Sequence, residues 1–247
     1  MSVAGTTDHR PWPMPARPWM MQQKWHDLLF MHWPIEPGAL RPLIPDRIEI
    51  ETHDGSAWVG VVPFRMSGIR LRGFIPIPGT VAFPELNVRT YVRVGGKPGV
   101  WFFSLDAASA LAVSAARRWF HLPYFNAQMN LGESAEGNVR YRSHRTHRGA
   151  APAEFRARYR PIGESFRARP GTLDYFLTER FCLYAGDKHR VFRGDIHHEP
   201  WSLQPGEADT EANTVAAAAG IVLPPTNPVL HFARNQDVKI WSLQEIK

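Results

Sequence analysis

Pro84-Glu85-Leu86-Asn87-Val88-Arg89-Thr90-Tyr91-Val92 leads up to the break Gly95-Gly96-Lys97-Pro98-Gly99, and Val100-Trp101-Phe102-Phe103-Ser104-Leu105-Asp106 leads away from it. Two strand-like runs around a Gly/Pro turn predict a β-hairpin. Successive side chains on a strand point to opposite faces, so Glu85, Asn87 and Arg89 share one face while Leu86, Val88 and Thr90 share the other. One face therefore carries a carboxylate, an amide and a guanidinium in a row. Such a row is either a solvated outer surface or the polar lining of a cavity. Glu85 and Arg89 stand about 13 Å apart by the strand rise, so they would line a pocket jointly without touching.

Working outward, Trp25-His-Asp-Leu-Leu-Phe-Met-His-Trp33 is apolar enough for a core element, stopped by Pro34 and Pro37. Residues 36–43 predict a short helix ahead of Pro45. Residues 48–52 alternate, Asp54-Gly55 marks a hairpin turn, and residues 57–64 form the returning strand. Residues 72–84 hold three prolines and two glycines and read as a loop at a site edge or a lid. Residues 107–120, rich in Ala with Arg117 and Arg118 in the last turn, predict the strongest helix. Strands follow at 125–131, 139–145, 155–159 and from 183 through 197. A second Ala-rich helix is expected at 210–219, and a closing hairpin at 229–232 and 238–243. The first 18 residues, rich in Pro, Thr and Arg, predict an extended or disordered arm on a single domain over residues 19–247. Many strands and two helices point to a mainly β (α+β) fold, an antiparallel barrel or sandwich with a few peripheral helices.

The chain has 247 residues, 44% of them hydrophobic, which is enough for a full core. No apolar run reaches membrane-span length and the N-terminus lacks a signal-peptide core, so the expectation is a soluble, cytoplasmic protein with no membrane partner. A single cysteine, Cys182, excludes an internal disulfide framework. The net charge of +6 comes from arginine, with only five lysines among 29 basic residues. The densest stretch, residues 140–169, holds nine arginines and two histidines. Carboxylates, prolines and glycines interrupt it, and it reads as paired strands with a solvated face. No nucleic-acid partner is expected; a focused positive field suits a small anionic ligand better.

His197-His198-Glu199 and His144-x-x-His147 raise the question of a metal. Neighbouring or three-apart residues on strands face opposite sides, so neither pair chelates one ion by itself, and no metal or cofactor is expected. Glu179-Arg180 reads as a structural pair at a strand, and Cys182, between Phe181 and Leu183, as a buried inert thiol.

Residues 25–33, Asp54-Gly55 through Pro63-Phe64, 85–92, 99–107, Leu122-Pro123-Tyr124, 177–181 and His197-His198-Glu199-Pro200-Trp201 resemble, block by block and in order, the YqjF-like family of bacterial proteins. That family is a domain of unknown function, so the resemblance names no reaction. A more distant similarity is to acetoacetate decarboxylase, running from Pro84-Glu85 through the Gly-rich turn to a helix with Arg117 and then Pro123. It implies an acetoacetate decarboxylase-like fold around an enclosed polar pocket, and a possible homo-oligomer.

At the two positions where that family carries its lysine pair, this chain has Tyr124 and Phe125. Schiff-base decarboxylation needs an amine as electron sink, and arginine cannot replace it. Acetoacetate decarboxylase chemistry is therefore not expected. In the implied site Glu85 is the catalytic acid or base, and Tyr124 donates to a ligand oxygen. Arg89, Asn87 and Arg117 bind the substrate, a small organic acid or carbonyl compound, in lysine-independent lyase or hydrolase chemistry. The rival is a non-catalytic binding or structural protein whose barrel is filled by its own side chains.

Overall fold

The computed structural model describes residues 7–74, 82–110, 113–114, 117–118, 122–133, 137–187 and 189–246. Its strands are β1 (Met21–Ile35), β2 (Glu49–Ile50), β3 (Ala57–Leu71), β4 (Ala82–Val94), β5 (Lys97–Ala107), β6 (Tyr124–Glu133), β7 (Val139–Arg145), β8 (Glu154–Pro161), β9 (Cys182–Gly186), β10 (Val191–His197), β11 (Leu203–Asn213), β12 (Val229–Ile240) and β13 (Gln244–Ile246). The expected hairpin is β4–β5, turning at Gly95 and Gly96, both with positive φ that only glycine adopts freely.

Strand pairing closes the sheet on itself twice. One ring runs β5-β6-β7-β8-β11-β12-β1-β3-β4 and back to β5, nine strands in all. A second ring leaves β5 through β9 and β10 and rejoins at β12, so β12, β1, β3, β4 and β5 form a wall common to both. All pairings are antiparallel except β5–β6 and β5–β9. Closure removes most free edges, leaving two short strands, β2 and β13, at the ends of the order. The fold is mainly β, with barrel closure and few helices, as the hydrophobic pattern predicts.

A shared wall must present a useful side chain to both rings, and alternation supplies this. On β4, Leu86, Val88 and Val92 join the large packed cluster of the nine-strand ring, together with Tyr141, Phe155 and Tyr159. The opposite face turns Glu85, Asn87 and Arg89 into the second ring. On β3, Val59 and Val61 face the packed cluster, while Val62, Phe64 and Met66 face the second ring. Two bulges reverse this parity. On β1 the register with β3 slips between His26 and Met31, around Asp27 with φ 53°. Trp25 consequently lines the second ring, whereas Leu29 and Met31 face the first. On β5 the register slips at Phe103, so Phe102 and Leu105 both line the second ring and Asp106 turns into the first.

Several expectations are corrected. Residues 210–219 are not a helix: β11 extends to Asn213 and only Ala217–Ala219 form a 3-10 turn. Pairing with β8 outweighs alanine's helix propensity here, since Glu207 and Glu211 meet Arg160 and Arg158 across the strands. The expected closing hairpin at 229–243 is instead one long strand, β12, paired with β1 over eleven positions. The strand before Asp54-Gly55 pairs with β4, not β3, although the turn itself forms, with His53 bridging Ser56. In the helix expected at 107–120, Ala107 ends β5, residues 108 and 109 are not helical, and residues 110, 113, 114, 117 and 118 are; the rest lie outside the described residues. Most of the expected lid, residues 75–81, also lies outside them.

From residue 7 the arm runs as a turn and bends without helix or strand, docked on the β9–β10 side of the second ring. Arg10 donates to the Ile196 carbonyl at 2.7 Å and stacks over Phe181, and Trp241 donates to the Arg17 carbonyl at 2.7 Å. No helix among the described residues is long and apolar enough to cross a membrane.

Candidate functional site in the second ring

The second ring encloses a cavity of about 210 Å³. Its polar groups are few, and they include the row predicted from β4: Glu85, Asn87 and Arg89 all line it. Tyr124, the first residue of β6, turns inward beside them, while Phe125 turns out.

Glu85 is 3% exposed, and its Oε2 accepts a hydrogen bond from the Tyr124 hydroxyl at 2.8 Å. Burial raises the Glu85 carboxyl to about 8; the Tyr124 bond opposes the rise and the nearby Asp106 charge adds to it. At neutral pH Glu85 is therefore mostly a neutral acid. Burial, followed by the Glu85 charge, holds the Tyr124 hydroxyl well above its ordinary range, so it too stays protonated. The packed ring fixes the backbone here: Tyr141 on β7 donates to the Glu85 carbonyl at 2.6 Å. Asp106 forms a buried two-pronged pair with Arg145 at 2.7 and 2.9 Å.

Arg89 and Arg180 form a second polar cluster around Tyr91. Their guanidinium carbons lie 5.8 and 4.8 Å from the Tyr91 ring centroid. Arg180 donates through Nε to the Phe176 carbonyl at 2.7 Å and pairs through Nη1 with Glu51, which Arg93 also contacts. Two guanidinium groups thus share the Glu51 carboxylate, and Arg89 has no carboxylate partner among the described residues. Arg89 Nε, Arg180 Nη2 and Asn87 Oδ1 are buried without a hydrogen-bond partner. Buried unpaired donors of this kind are destabilising unless something meets them.

Tyr91 is held by a relay: its hydroxyl donates to the Leu177 carbonyl at 2.6 Å and lies 2.6 Å from His32 Nε2. Because the tyrosine proton is committed to Leu177, His32 must donate through Nε2 in this arrangement. Burial, helped by the Arg89 charge, keeps His32 neutral, well below its usual pKa. Gly60 permits the close packing, since a Cβ there would stand 2.9 Å from His32 Nε2 and 3.3 Å from Arg89 Cγ. His198 also lines the cavity; burial pushes it down to about 4, and its Nε2 lies 3.1 Å from the Arg180 carbonyl. His197, on the opposite face, meets Arg10 of the arm instead.

Four of the five sequence-derived candidates are therefore brought together. Arg117 is not. It lies on the outer surface, over Phe125, and donates to the Tyr124 carbonyl at 2.7 Å, because the helix carrying it lies outside the barrel wall. Asp106 is paired with Arg145. Glu179 and Arg180 follow the short helix Leu173–Thr178 rather than sitting on a strand, and they do not pair with each other. Glu179 accepts from the Trp201 amide at 2.9 Å, and burial raises it to about 7. Arg180 lines the cavity although sequence reading gives it no place there. Its one signal was its place in a family-like block, because its partners Glu51 and Tyr91 are remote in the chain. Cys182 is buried at the cavity wall, and burial pushes its thiol to about 11. Among the described residues no lysine lines the cavity and no cluster of His, Cys, Asp and Glu could hold a metal.

Residues 22–237 match the DUF2071 family, described as an uncharacterized conserved protein. The uncharacterized protein YqjF of Bacillus subtilis (strain 168) is 47% identical over 227 residues, covering 92% of this chain and 93% of that one. Among solved structures, the enduracididine biosynthesis enzyme MppR with HEPES buffer bound superposes with a TM-score of 0.64 at 12% identity, covering 100% of this chain and 99% of the other. Acetoacetate decarboxylase from Legionella pneumophila gives 0.60 at 14% identity, over 97% and 93% of the two chains. At those identities the likeness concerns the fold alone. With its double-ring barrel and a tyrosine where the resemblance places a lysine, the chain belongs to the DUF2071 family and has an acetoacetate decarboxylase-like fold.

Proposed function

We propose that the second ring binds a small organic acid or carbonyl compound and acts on it by acid–base chemistry that needs no Schiff base. What supports the reading is one juxtaposition: the Glu85–Tyr124 pair shares a cavity with two unpartnered guanidinium nitrogens. Arg89 and Arg180 receive the ligand's carboxylate. Tyr124 occupies Glu85 Oε2, which leaves the carboxyl proton to Oε1, free to be delivered to a ligand oxygen or carbon. Once that proton is given up, the Tyr124 hydroxyl stabilises the carboxylate that remains. Lyase or hydrolase steps have this requirement, a positioned acid of pKa near the working pH. Solved structures of the same fold include an acetoacetate decarboxylase, while the absence of a lysine among the described lining residues separates the chemistry proposed here from amine catalysis. Nucleic acid has no part in the proposal, because outward arginines of β8 are met by Glu154, Glu211 and Glu207.

The test is thermal unfolding against a panel of carboxylic and keto acids on wild type, Glu85→Gln and Arg89→Ala. A ligand at a hundred times its Kd stabilises the native state by about 2.7 kcal/mol. Wild type and Glu85→Gln should both show the shift and Arg89→Ala should not, while turnover of the hit should vanish in Glu85→Gln. Binding with full turnover in Glu85→Gln would leave a carrier, and no shift from any acid would remove the reading.

A further inference from the structure

From the layout of this cavity, we infer that the second ring takes an elongated carboxylic acid with an apolar middle, of the medium-chain or aryl-alkyl class, rather than a two- to four-carbon keto acid. This rests on the reading above and narrows it.

The first ground is distance. The cationic end and the acid end are separated along one strand, with Arg89 and Glu85 four residues apart on β4, about 13 Å at the backbone. Arg89 does not lean back toward Glu85. Its Nη2 lies 3.5 Å from the Tyr91 hydroxyl and 3.4 Å from the Leu177 carbonyl, both on the far side, and its guanidinium sits 5.2 Å from the Phe30 ring centroid. Arg180 clusters at the same far end, around Tyr91 and Phe176. A ligand whose carboxylate meets the guanidinium groups must therefore extend along β4 before any of its atoms reaches Glu85 and Tyr124. Pyruvate or acetoacetate is too short to engage both ends at once.

The second ground is the wall between those ends. Phe64, Phe102, Leu105, Leu28 and Trp201 line it, and Asn87 is the polar residue on β4 at its midpoint. Asn87 is 4% exposed and its Oδ1 has no partner, so it offers an acceptor to a hydroxyl or amine part-way along the ligand. Beyond Glu85, Met21, Ile69, Leu71 and Phe83 continue the apolar lining. The third ground is room. The cavity measures about 210 Å³, more than the roughly 150 Å³ apolar hole that accepts benzene. It therefore has space for a ring or an equivalent alkyl segment.

The test uses the tryptophans already in the wall. Trp25 and Trp201 line the cavity with ring centroids 6.2 Å apart, so intrinsic fluorescence reports occupancy, checked by calorimetry. The probes are 3-phenylpropionate and octanoate, set against acetoacetate and pyruvate, with 3-phenylpropanol as the uncharged match. The proteins are wild type, Arg89→Met and Val62→Phe, the last narrowing the apolar section beside Asn87; retention of a cooperative melt shows that each variant is folded. The expected result is Kd at least tenfold lower for the long acids than for acetoacetate. That preference should be lost in Arg89→Met, and Val62→Phe should weaken the long acids tenfold while leaving the short ones unchanged. Short keto acids binding as tightly as the long ones would overturn this inference and leave the proposed function standing. Equal binding of 3-phenylpropanol would overturn the carboxylate assignment in both. If no acid bound wild type, both would fall.

Discussion

Two rings share five strands, yet one is solid and the other hollow. In the nine-strand ring, Tyr141, Phe155, Tyr159 and the inward valines of β3 and β4 fill the interior. In the seven-strand ring the same strands turn toward the cavity a face that includes an acid, an amide and a guanidinium. The difference lies in what each ring has opposite the shared wall. The first is closed in part by β7 and β8, whose alternation buries every second residue, among them Tyr141, Phe155 and Tyr159. The second is closed by the short strands β9 and β10 and by the segments beside them, which bring Arg180 and His198 alongside Leu183, Ile196 and Trp201 and leave the space between them unfilled. A wall becomes a core or a site according to what faces it.

The sharpest break of this comparison is a pair of truncations. Phe155→Ala, in the solid ring, should cost about 3–5 kcal/mol by urea unfolding, through lost transfer energy and a new void. Phe64→Ala, which borders an existing cavity, should cost distinctly less. Equal losses would mean that the second ring is as tightly packed as the first.

A pH series tests the hollow side directly. Unfolded, Glu85 titrates in the ordinary carboxylate range; folded, it holds its proton up to about pH 8. Between those limits the unfolded chain binds fewer protons, so stability falls as pH rises, by up to about 1.4 kcal/mol per pH unit. Unfolding midpoints from pH 5 to 8 should show this slope in wild type and its loss in Glu85→Gln. A slope unchanged in the variant would place Glu85 in water. A smaller effect is expected from Gly60→Ala, where the added Cβ meets His32 and Arg89. Overpacking there should cost about 1–3 kcal/mol and weaken any bound acid through Arg89. Smallest of all, native Cys182 should stay inert to thiol reagents at pH 8, since burial keeps it protonated; rapid labelling would show that the cavity wall opens.

How far the chain could be read follows from where each signal lives. The β4 alternation is local, and it disclosed the hairpin, the polar row and its direction opposite Leu86 and Val88. The bulges at Asp27, in the pairing with β3, and at Phe103, inside the β4–β5 hairpin, border apolar runs without polar alternation, so the parity reversals on β1 and β5 were invisible. Residues 210–219 were misread because alanine content speaks for helix until β8 is placed alongside. Tyr124 was found through resemblance, whereas Arg180 is placed at the cavity only by Glu51 and Tyr91, over eighty residues away in the chain. Arg117 failed in the reverse way: a family-like position on a helix that lies outside the wall.

The common wall also has a dynamic consequence. The amides of β1, β3 and β4 are hydrogen-bonded to neighbours on both sides, so freeing them requires opening both rings together. They belong to the last unit to release its protons to heavy water, near the global unfolding limit. Anything lodged against Glu85 or Arg89 is then registered in that slowest-exchanging class, including amides whose side chains face the solid ring, such as Leu86 and Val88.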